Sequence, residues 1–415
     1  MKKTLVVIAT ILSLTIFLPV YAHAWCTSIP DGQRLTVLSI PGTHDSATRG
    51  GSRWTECQSL SIQDQLRCGV RFLDMRVGWH KNKVYMCHGS HYMDLTLEQA
   101  LMQVYNYLVD NPREFVILQV KVDDGTQDCR LTPEIDKVIY NGTFNQKLYD
   151  KNEVPTVGEA RGKMIYWHRW NGTPGLSVWW PGDPGNYVEH SGAYWLCVSD
   201  LYDWGIDSKI REVKKYLDWA KGELINRDDC IVLTFCSTST GNQGCDWEPW
   251  RSAKKINPSV QGYLRSQQAK YFGIVIVDFV TPELAKNIWE LNFKPAPCIK
   301  ANGATGIVTV NSPDTVSITV ELDAQAYAGV PADWWVLVNA GSSWFYLDSA
   351  VGWTQAGDCR PVYQGTLGNL PALEVLNIAG LGAGSYTFYF AVDLPMNGAL
   401  DLEQIYADSV TVNIQ

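Results

Sequence analysis

Beyond residue 24 the chain lacks any run of about 18 apolar residues, the length a membrane-spanning helix needs, so the mature protein is expected to be soluble. It has no Cys-x-x-Cys pair, which removes the usual spacing of a zinc cluster. Internal repeats and low-complexity tracts are missing, which excludes a solenoid and a disordered repeat tail. Histidine is sparse, with 7 in 415 residues, so a histidine inside a motif is informative. Basic residues are almost absent from residues 299–415, which hold two (Lys300 and Arg360) against eleven acidic ones. The formal net charge of the whole chain is −9. Nothing here attracts a phosphate backbone, so no nucleic-acid partner is expected, and an anionic membrane would repel the charge. Any transient membrane contact must use apolar or aromatic surface, for which 17 tryptophans are available.

What the chain does have begins with a secretory leader. Lys2 and Lys3 form its charged end, Leu5 to Val20 is almost wholly apolar, and Ala22-His-Ala24 is a small-x-small cleavage site. Residues 1–24 are read as a signal peptide, and the mature protein is expected to start at Trp25, secreted to the periplasm or the medium. Trp25 is too bulky to precede a lipidated cysteine. Losing Lys2 and Lys3 takes the net charge from −9 to −11. All eleven cysteines follow the leader, and an oxidising compartment makes disulfides expected. Ten lie between Cys26 and Cys298, enough for five bridges of unreadable connectivity, and Cys359 stands apart.

Up to about residue 295, apolar runs alternate with helical patterns. The runs Leu35–Ile40, Val70–Val77, Val84–Cys87, Phe115–Val122, Met164–His168, Trp195–Ser199, Cys230–Cys236 and Gly273–Val280 predict strands, several apolar on both faces as buried parallel strands are. Helices are predicted over Thr96 to Asp110, with Thr96 as cap, and over Asp207 to Lys221 and Glu283 to Asn292. This alternation predicts an α/β domain over 25–298, an irregular (β/α)₈ TIM-like barrel, because the link between the second and third strands is too short for a helix. Lys294 to Gly306 reads as a linker. After it, period-two runs such as Val316-Ser-Ile-Thr-Val-Glu-Leu322 and Ser385-Tyr-Thr-Phe-Tyr-Phe-Ala-Val392 predict an accessory all-β sandwich domain over 299–415.

Parallel barrels place their chemistry at the carboxyl ends of the strands. His44 and Asp45 follow the first predicted strand, Arg76 ends the second and His88 follows the third. Lys121 ends the fourth, Arg169 follows the fifth, Asp200 and Tyr202 follow the sixth, and Asp278 ends the last. Singly, each has an ordinary structural reading: a loop histidine, a barrel salt bridge, a solvated strand end. Together they converge on one mouth. Two histidines and an arginine suit phosphodiester cleavage, with one imidazole taking a proton, one giving a proton and a guanidinium holding the phosphate.

Ser39-Ile-Pro-Gly-Thr-His-Asp-Ser46, Phe72-Leu-Asp-Met-Arg76, His88-Gly89, Asp110-Asn-Pro112 and Val275-Ile-Val-Asp-Phe279 resemble the X domain of bacterial phosphatidylinositol-specific phospholipase C. The resemblance covers about residues 27–295. It implies that His44 is the general base, oriented by Asp278, that Arg76 binds the phosphate, and that His88 is the general acid, assisted by Asp45. It implies an inositol site at Lys121, Arg169, Asp200 and Tyr202, and cyclic phosphate as product. The substrate class would be phosphatidylinositol or a glycosyl-phosphatidylinositol (GPI) anchor. Calcium-dependent relatives carry a carboxylate where Arg76 stands, so neither metal nor cofactor is expected. Trp54, Trp247 and Trp250 fall in predicted mouth loops, which in this family carry tryptophans that enter the lipid interface; core packing is the competing reading. A monomer is expected. Two alternatives remain open at this stage: another phospholipid head group for the same site, or a non-catalytic protein that binds a surface through its C-terminal domain. Asp393, Asn397, Asp401 and Asp408 offer calcium-type oxygens, but their spacing fits an acidic turn better.

Overall fold

The computed structural model describes residues 24–170, 174–182, 185–190, 194–226, 229–238, 248–267, 271–402 and 404–415. Residues 1–23 of the leader and Trp247 lie outside these residues. Among the described residues the first part of the chain forms twelve strands: β1 (Ser39–Thr43), β2 (Phe72–His80), β3 (Lys83–His88), β4 (His91–Thr96), β5 (Val116–Val122), β6 (Leu148–Tyr149), β7 (Met164–His168), β8 (Leu176–Ser177), β9 (Tyr187–His190), β10 (Trp195–Ser199), β11 (Cys230–Phe235) and β12 (Gly273–Val277). They join in one mixed sheet of order β6-β7-β5-β2-β1-β12-β11-β10-β9, with β3, β4 and β8 off this path. Seven α-helices accompany them among the described residues: α1 (Ile62–Arg67), α2 (Leu97–Asp110), α3 (Asp128–Ile139), α4 (Val157–Ala160), α5 (Ile206–Asn226), α6 (Pro249–Arg265) and α7 (Pro282–Trp289).

The sheet curls around a core. Ile40, Phe72, Ile117, Ile165, Leu196, Ile231 and Ile274, one from each of seven strands, meet in a single buried apolar cluster. The alternate side chains, among them Leu73, Leu118, Met164 and Val275, point the other way and pack on the helices. Among the described residues no backbone pairing joins the two ends of the sheet path. Gly42 permits a close approach inside: a Cβ there would lie 3.0 Å from Ile276 and 3.0 Å from Phe72. This explains why the first strand begins and ends later than predicted. Leu35–Val37 is a 3₁₀ turn, and Pro41-Gly42 is the middle of β1 rather than its end.

The predicted third strand is no stave of the curl. It is the return arm of a hairpin, antiparallel to β2, with Val77 opposite Met86. Trp250 is not in a loop but in the first turn of α6, a helix missed because Pro258 interrupts its pattern. Helix α2 starts where its sequence indicated. Thr96 accepts from the Gln99 amide while Gln99 reaches back to the Thr96 amide, a reciprocal cap.

The second part holds a three-stranded sheet, ordered Ala296–Ala301, Thr315–Asp323, Leu370–Ala379, and a seven-stranded sheet led by Pro331–Ala340, Gly384–Asp393 and Ile405–Ile414. Ile299, Ile318, Val320, Val336, Phe390 and Val412, drawn from both sheets, share one buried cluster. Part of the expected linker is therefore a strand: Ala296–Ala301 pairs along Thr315–Asp323, and Ile299 and Ala301 are its buried positions. The boundary expected at residue 298 falls inside this strand, hidden in the sequence by Pro295 and Pro297.

Candidate active site

Parallel pairing brings the site together. Thr43 is level with Val277, so His44 and Asp278 emerge side by side from β1 and β12. Arg76 is level with Lys121 on β2 and β5. The turn after β1 is stitched in place by the buried Gln58 side chain, which donates to the carbonyls of His44 (2.9 Å) and Val277 (2.9 Å). Asp45 takes a left-handed backbone angle (φ 45°), which a short polar residue tolerates, and its amide donates to Asp74 Oδ2 at 3.3 Å.

His44 Nδ1 lies 2.8 Å from Asp278 Oδ1, and His44 Nε2 lies 3.4 Å from Asp45 Oδ2. Asp45 is the hub. Its Oδ1 is 3.2 Å from Arg76 Nε, and its Oδ2 is 3.7 Å from His88 Nδ1. Arg76 is steadied on its other flanks by Asp74 (3.1 Å) and Asp123 (3.8 Å). Lys121 Nζ bonds Asp123 Oδ1 at 2.6 Å, and the Gly89 amide donates to Asp123 Oδ2 at 2.8 Å, which ties the loop bearing His88 to the cations. His88 Nδ1 also lies 3.1 Å from the Thr55 carbonyl.

A second group adjoins this one. Arg169 lies flat over the Trp180 ring, 3.6 Å from its centroid, and donates to the Trp180 carbonyl at 3.1 Å. Trp180 Nε1 donates to Asp200 Oδ2 at 3.0 Å. Tyr202 stands on the rim, 46% exposed. All nine residues singled out as catalytic or substrate-binding thus belong to this end of the sheet. Asp74, Asp123 and Trp180 were missed. The first two had a signal, because Asp74 and Arg76, like Lys121 and Asp123, are two apart on a strand and so share a face.

Electrostatics here is a balance of five carboxylates against three permanent cations and two imidazoles. Burial disfavours the charged form of His44, but Asp278, then Asp45, outweigh both burial and the Arg76 cation and lift its pKa from 6.5 to about 8. Burial raises the Asp45 carboxyl, against the pull of Arg76 and both histidines. Burial also opposes the Arg76 charge, yet Asp45, Asp74, Asp123 and Asp200 together hold it cationic well above the ordinary range. Burial acts first on Asp123 as well, and Arg76 and Lys121 overcome it, keeping that carboxylate far below its usual range. Arg169 is pushed down to about 10, by burial first and Arg76 next, against the attraction of Asp200.

Trp54 is 41% exposed and Trp250 53% exposed, and the segments that carry them are joined by an Arg53–Glu248 contact of 3.4 Å. Trp250 meets Phe279, the residue after Asp278, edge-on at 5.0 Å, so this aromatic pair borders the site. The carboxylates of the acidic turn in the second part are engaged by donors from neighbouring strands. Asp393 accepts from Trp335 Nε1 at 2.9 Å, and Asp408 accepts from the Ile299 amide at 2.9 Å. Among the described residues the cysteines are thiols, and Cys197 and Cys230 on neighbouring strands bring their sulfurs to 2.9 Å.

Residues 32–153 match the PI-PLC X 1 family. The chain is 26% identical over 284 residues to a 1-phosphatidylinositol phosphodiesterase of Listeria monocytogenes, covering 65% of this chain and 84% of that one. It is 27% identical over 276 residues to the protein of that name from Staphylococcus aureus strain Newman, covering 61% and 87%. A solved phosphatidylinositol-specific phospholipase C from Staphylococcus aureus superposes with a TM-score of 0.56 at 25% identity, over 63% of this chain and 96% of the other. The Listeria monocytogenes enzyme structure shares the fold, with a TM-score of 0.52 at 22% identity, over 65% and 97%.

Proposed function

We propose that this chain, which carries a PI-PLC X domain and is a relative of the bacterial phosphatidylinositol phosphodiesterases, is a secreted enzyme that converts phosphatidylinositol, free or in a GPI anchor, to diacylglycerol and inositol 1,2-cyclic phosphate. The observation that carries this reading is Asp45, one buried carboxylate within 3.7 Å of His44, Arg76 and His88. We read the curled sheet as an irregular (β/α)₈ barrel and the C-terminal part as an accessory β-sandwich. The leader of residues 1–24 supports export.

In this mechanism the inositol 2-hydroxyl attacks phosphorus and passes its proton to Nε2 of neutral His44. The imidazolium so formed is stabilised by Asp278 at 2.8 Å. The bond from phosphorus to the diacylglycerol oxygen breaks, and that oxygen takes its proton from His88. Arg76 binds the non-bridging oxygens and stabilises the charge that builds on them. Because a guanidinium already supplies positive charge there, we read the reaction as metal-independent. Lys121, Arg169, Asp200 and Tyr202 would hold the inositol hydroxyls, and Trp54 and Trp250 would touch the membrane. The test is incubation with phosphatidylinositol vesicles in excess chelator, followed by phosphorus NMR. A five-membered cyclic phosphate signal is expected; calcium-dependent turnover, or a phosphomonoester with no cyclic precursor, would refute the reading.

A further inference from the structure

One residue at the centre of the site has no role in that chemistry. Cys57 is fully buried, and its thiol points into the cluster of acid and base. Its sulfur is 4.0 Å from Asp45 Oδ2 and 3.8 Å from His88 Nδ1. His44 Nε2 in turn is 3.4 Å from the same Asp45 oxygen. The ligand atoms of His44, Asp45 and Cys57 all lie within 4.8 Å of one another.

A tetrahedral zinc ion sits about 2.0–2.3 Å from nitrogen, oxygen and sulfur ligands, so two ligands on one ion are roughly 3.3–3.8 Å apart. The distances from Asp45 Oδ2 to its three neighbours, 3.4, 4.0 and 3.7 Å, are close to that spacing without any rebuilding of the backbone. The donor set is one imidazole, one carboxylate and one thiolate, with a second imidazole beside them. Sulfur and imidazole suit borderline-soft ions; calcium and magnesium demand oxygen.

We propose that these residues form an inhibitory site for a thiophilic divalent cation of the zinc class. The ion binds His44 Nε2, Asp45 Oδ2 and Cys57 Sγ, displacing the thiol proton to solvent, and His88 Nδ1 or water completes the tetrahedron. Binding removes the lone pair that accepts the substrate proton and occupies the Asp45 oxygen that faces both histidines, so the ion and turnover are mutually exclusive. The inference deepens the proposed function at the same site. The enzyme needs no metal to act and is switched off by one.

The experiment uses the full mature chain, stripped of metal and kept reduced. Titration with Zn²⁺ during cleavage of phosphatidylinositol is expected to abolish turnover with one ion per chain. Excess chelator is expected to restore it, while Ca²⁺ and Mg²⁺ at the same concentrations have no effect. Co²⁺ in place of Zn²⁺ is expected to give the near-ultraviolet thiolate-to-cobalt absorption of a sulfur ligand. Cys57→Ala is expected to turn over within a few-fold of wild type, to need at least ten times more Zn²⁺ for half-inhibition, and to lose that absorption. Equal inhibition of wild type and variant, or a cobalt complex without the sulfur band, would overturn the proposal. If Cys57→Ala does not fold, a Cys57→Ser variant and the wild-type cobalt spectrum decide the matter. The spectrum is independent of turnover, so a protein that binds cobalt through Cys57 but leaves phosphatidylinositol intact would refute the proposed function and not the metal site.

Discussion

Asp278→Asn removes one charge and almost no volume, and its effect can be worked out from the site. Asp278 is the chief reason that the His44 pKa stands at about 8 rather than 6.5. That rise corresponds to about 2 kcal/mol of preference for the imidazolium. With asparagine in place, burial and Arg76 both push the pKa down and only Asp45 opposes them, so the value falls to 6.5 or below. In wild type the base is neutral in only about one molecule in ten at pH 7, and kcat/KM is expected to rise roughly tenfold per pH unit up to about pH 8. In Asp278→Asn that rising limb moves to lower pH by at least about 1.5 units, while the plateau drops by about 10²-fold or more, because the imidazolium formed during reaction has lost its partner. Stability carries the same signature. The folded-state pKa of His44 exceeds the unfolded one, so its contribution is fully present below pH 6.5 and is lost as pH rises through about 8. The stability gap between wild type and variant in urea should therefore shrink by about 2 kcal/mol between pH 6 and pH 9. A pH–rate profile on soluble substrate, with urea titrations at the two pH values, tests both parts. An acid limb that stays in place would refute the assignment of His44 as the base governed by Asp278.

Arg76→Ala should reduce kcat by at least about 10³-fold and destabilise the fold by about 3–5 kcal/mol, since it strands the buried carboxylates of Asp45 and Asp74; calorimetry and turnover measure each. Trp54→Ala with Trp250→Ala should weaken binding to neutral vesicles in a sedimentation assay while leaving kcat on a soluble short-chain substrate within a few-fold, because both rings are exposed. A fragment of residues 25–294, cut before the strand Ala296–Ala301, should turn over that substrate within a few-fold of the full chain; an inactive but folded fragment would make the second part a component of the catalytic unit. Expression in an oxidising compartment should join Cys197 to Cys230, whose sulfurs are already 2.9 Å apart, and peptide mapping without reduction checks it.

The sequence was most readable where one residue type does one job. Strands β7 and β10 were delimited to the residue, because each is a short apolar run between polar turns. His44 and Arg76 were legible because each ends or follows such a run and parallel strands deliver their ends to one place; His88 arrives by another route, on the antiparallel arm β3 that folds back toward Asp45. Less legible were features decided by partners far along the chain. Pro41-Gly42 reads locally as a turn, and only the approach of Phe72 and Ile276 makes it a strand. Proline likewise concealed α6 and the strand Ala296–Ala301, where tertiary packing overrides local preference. Asp74, Asp123 and Trp180 act through other residues of the site, among them Arg76, Lys121 and Asp200, so no local pattern marks them as part of it beyond the period-two spacing of the two aspartates. Cys57 reads as one more half-cystine until its sulfur is seen among the histidines.

The position of Asp45 between both imidazoles and the guanidinium has a consequence for how the site can be taken apart. One carboxylate serves three neighbours, so a proton gained by His44 is felt at His88 through the same pair of oxygens. The two pH midpoints of the rate profile are then properties of the linked group and belong to neither ring alone. Free energies of single substitutions will not sum. A thermodynamic cycle on His44→Ala and His88→Ala closes with a large interaction term, and the double variant turns over scarcely more slowly than the worse of the singles. The same wiring makes the site reversible in sense. In the proposed mechanism, once the cyclic product forms His44 holds the proton taken from the inositol 2-hydroxyl and His88 has lost its own to the leaving alcohol, so the pair is set to activate water in the opposite direction without any rearrangement of the protein.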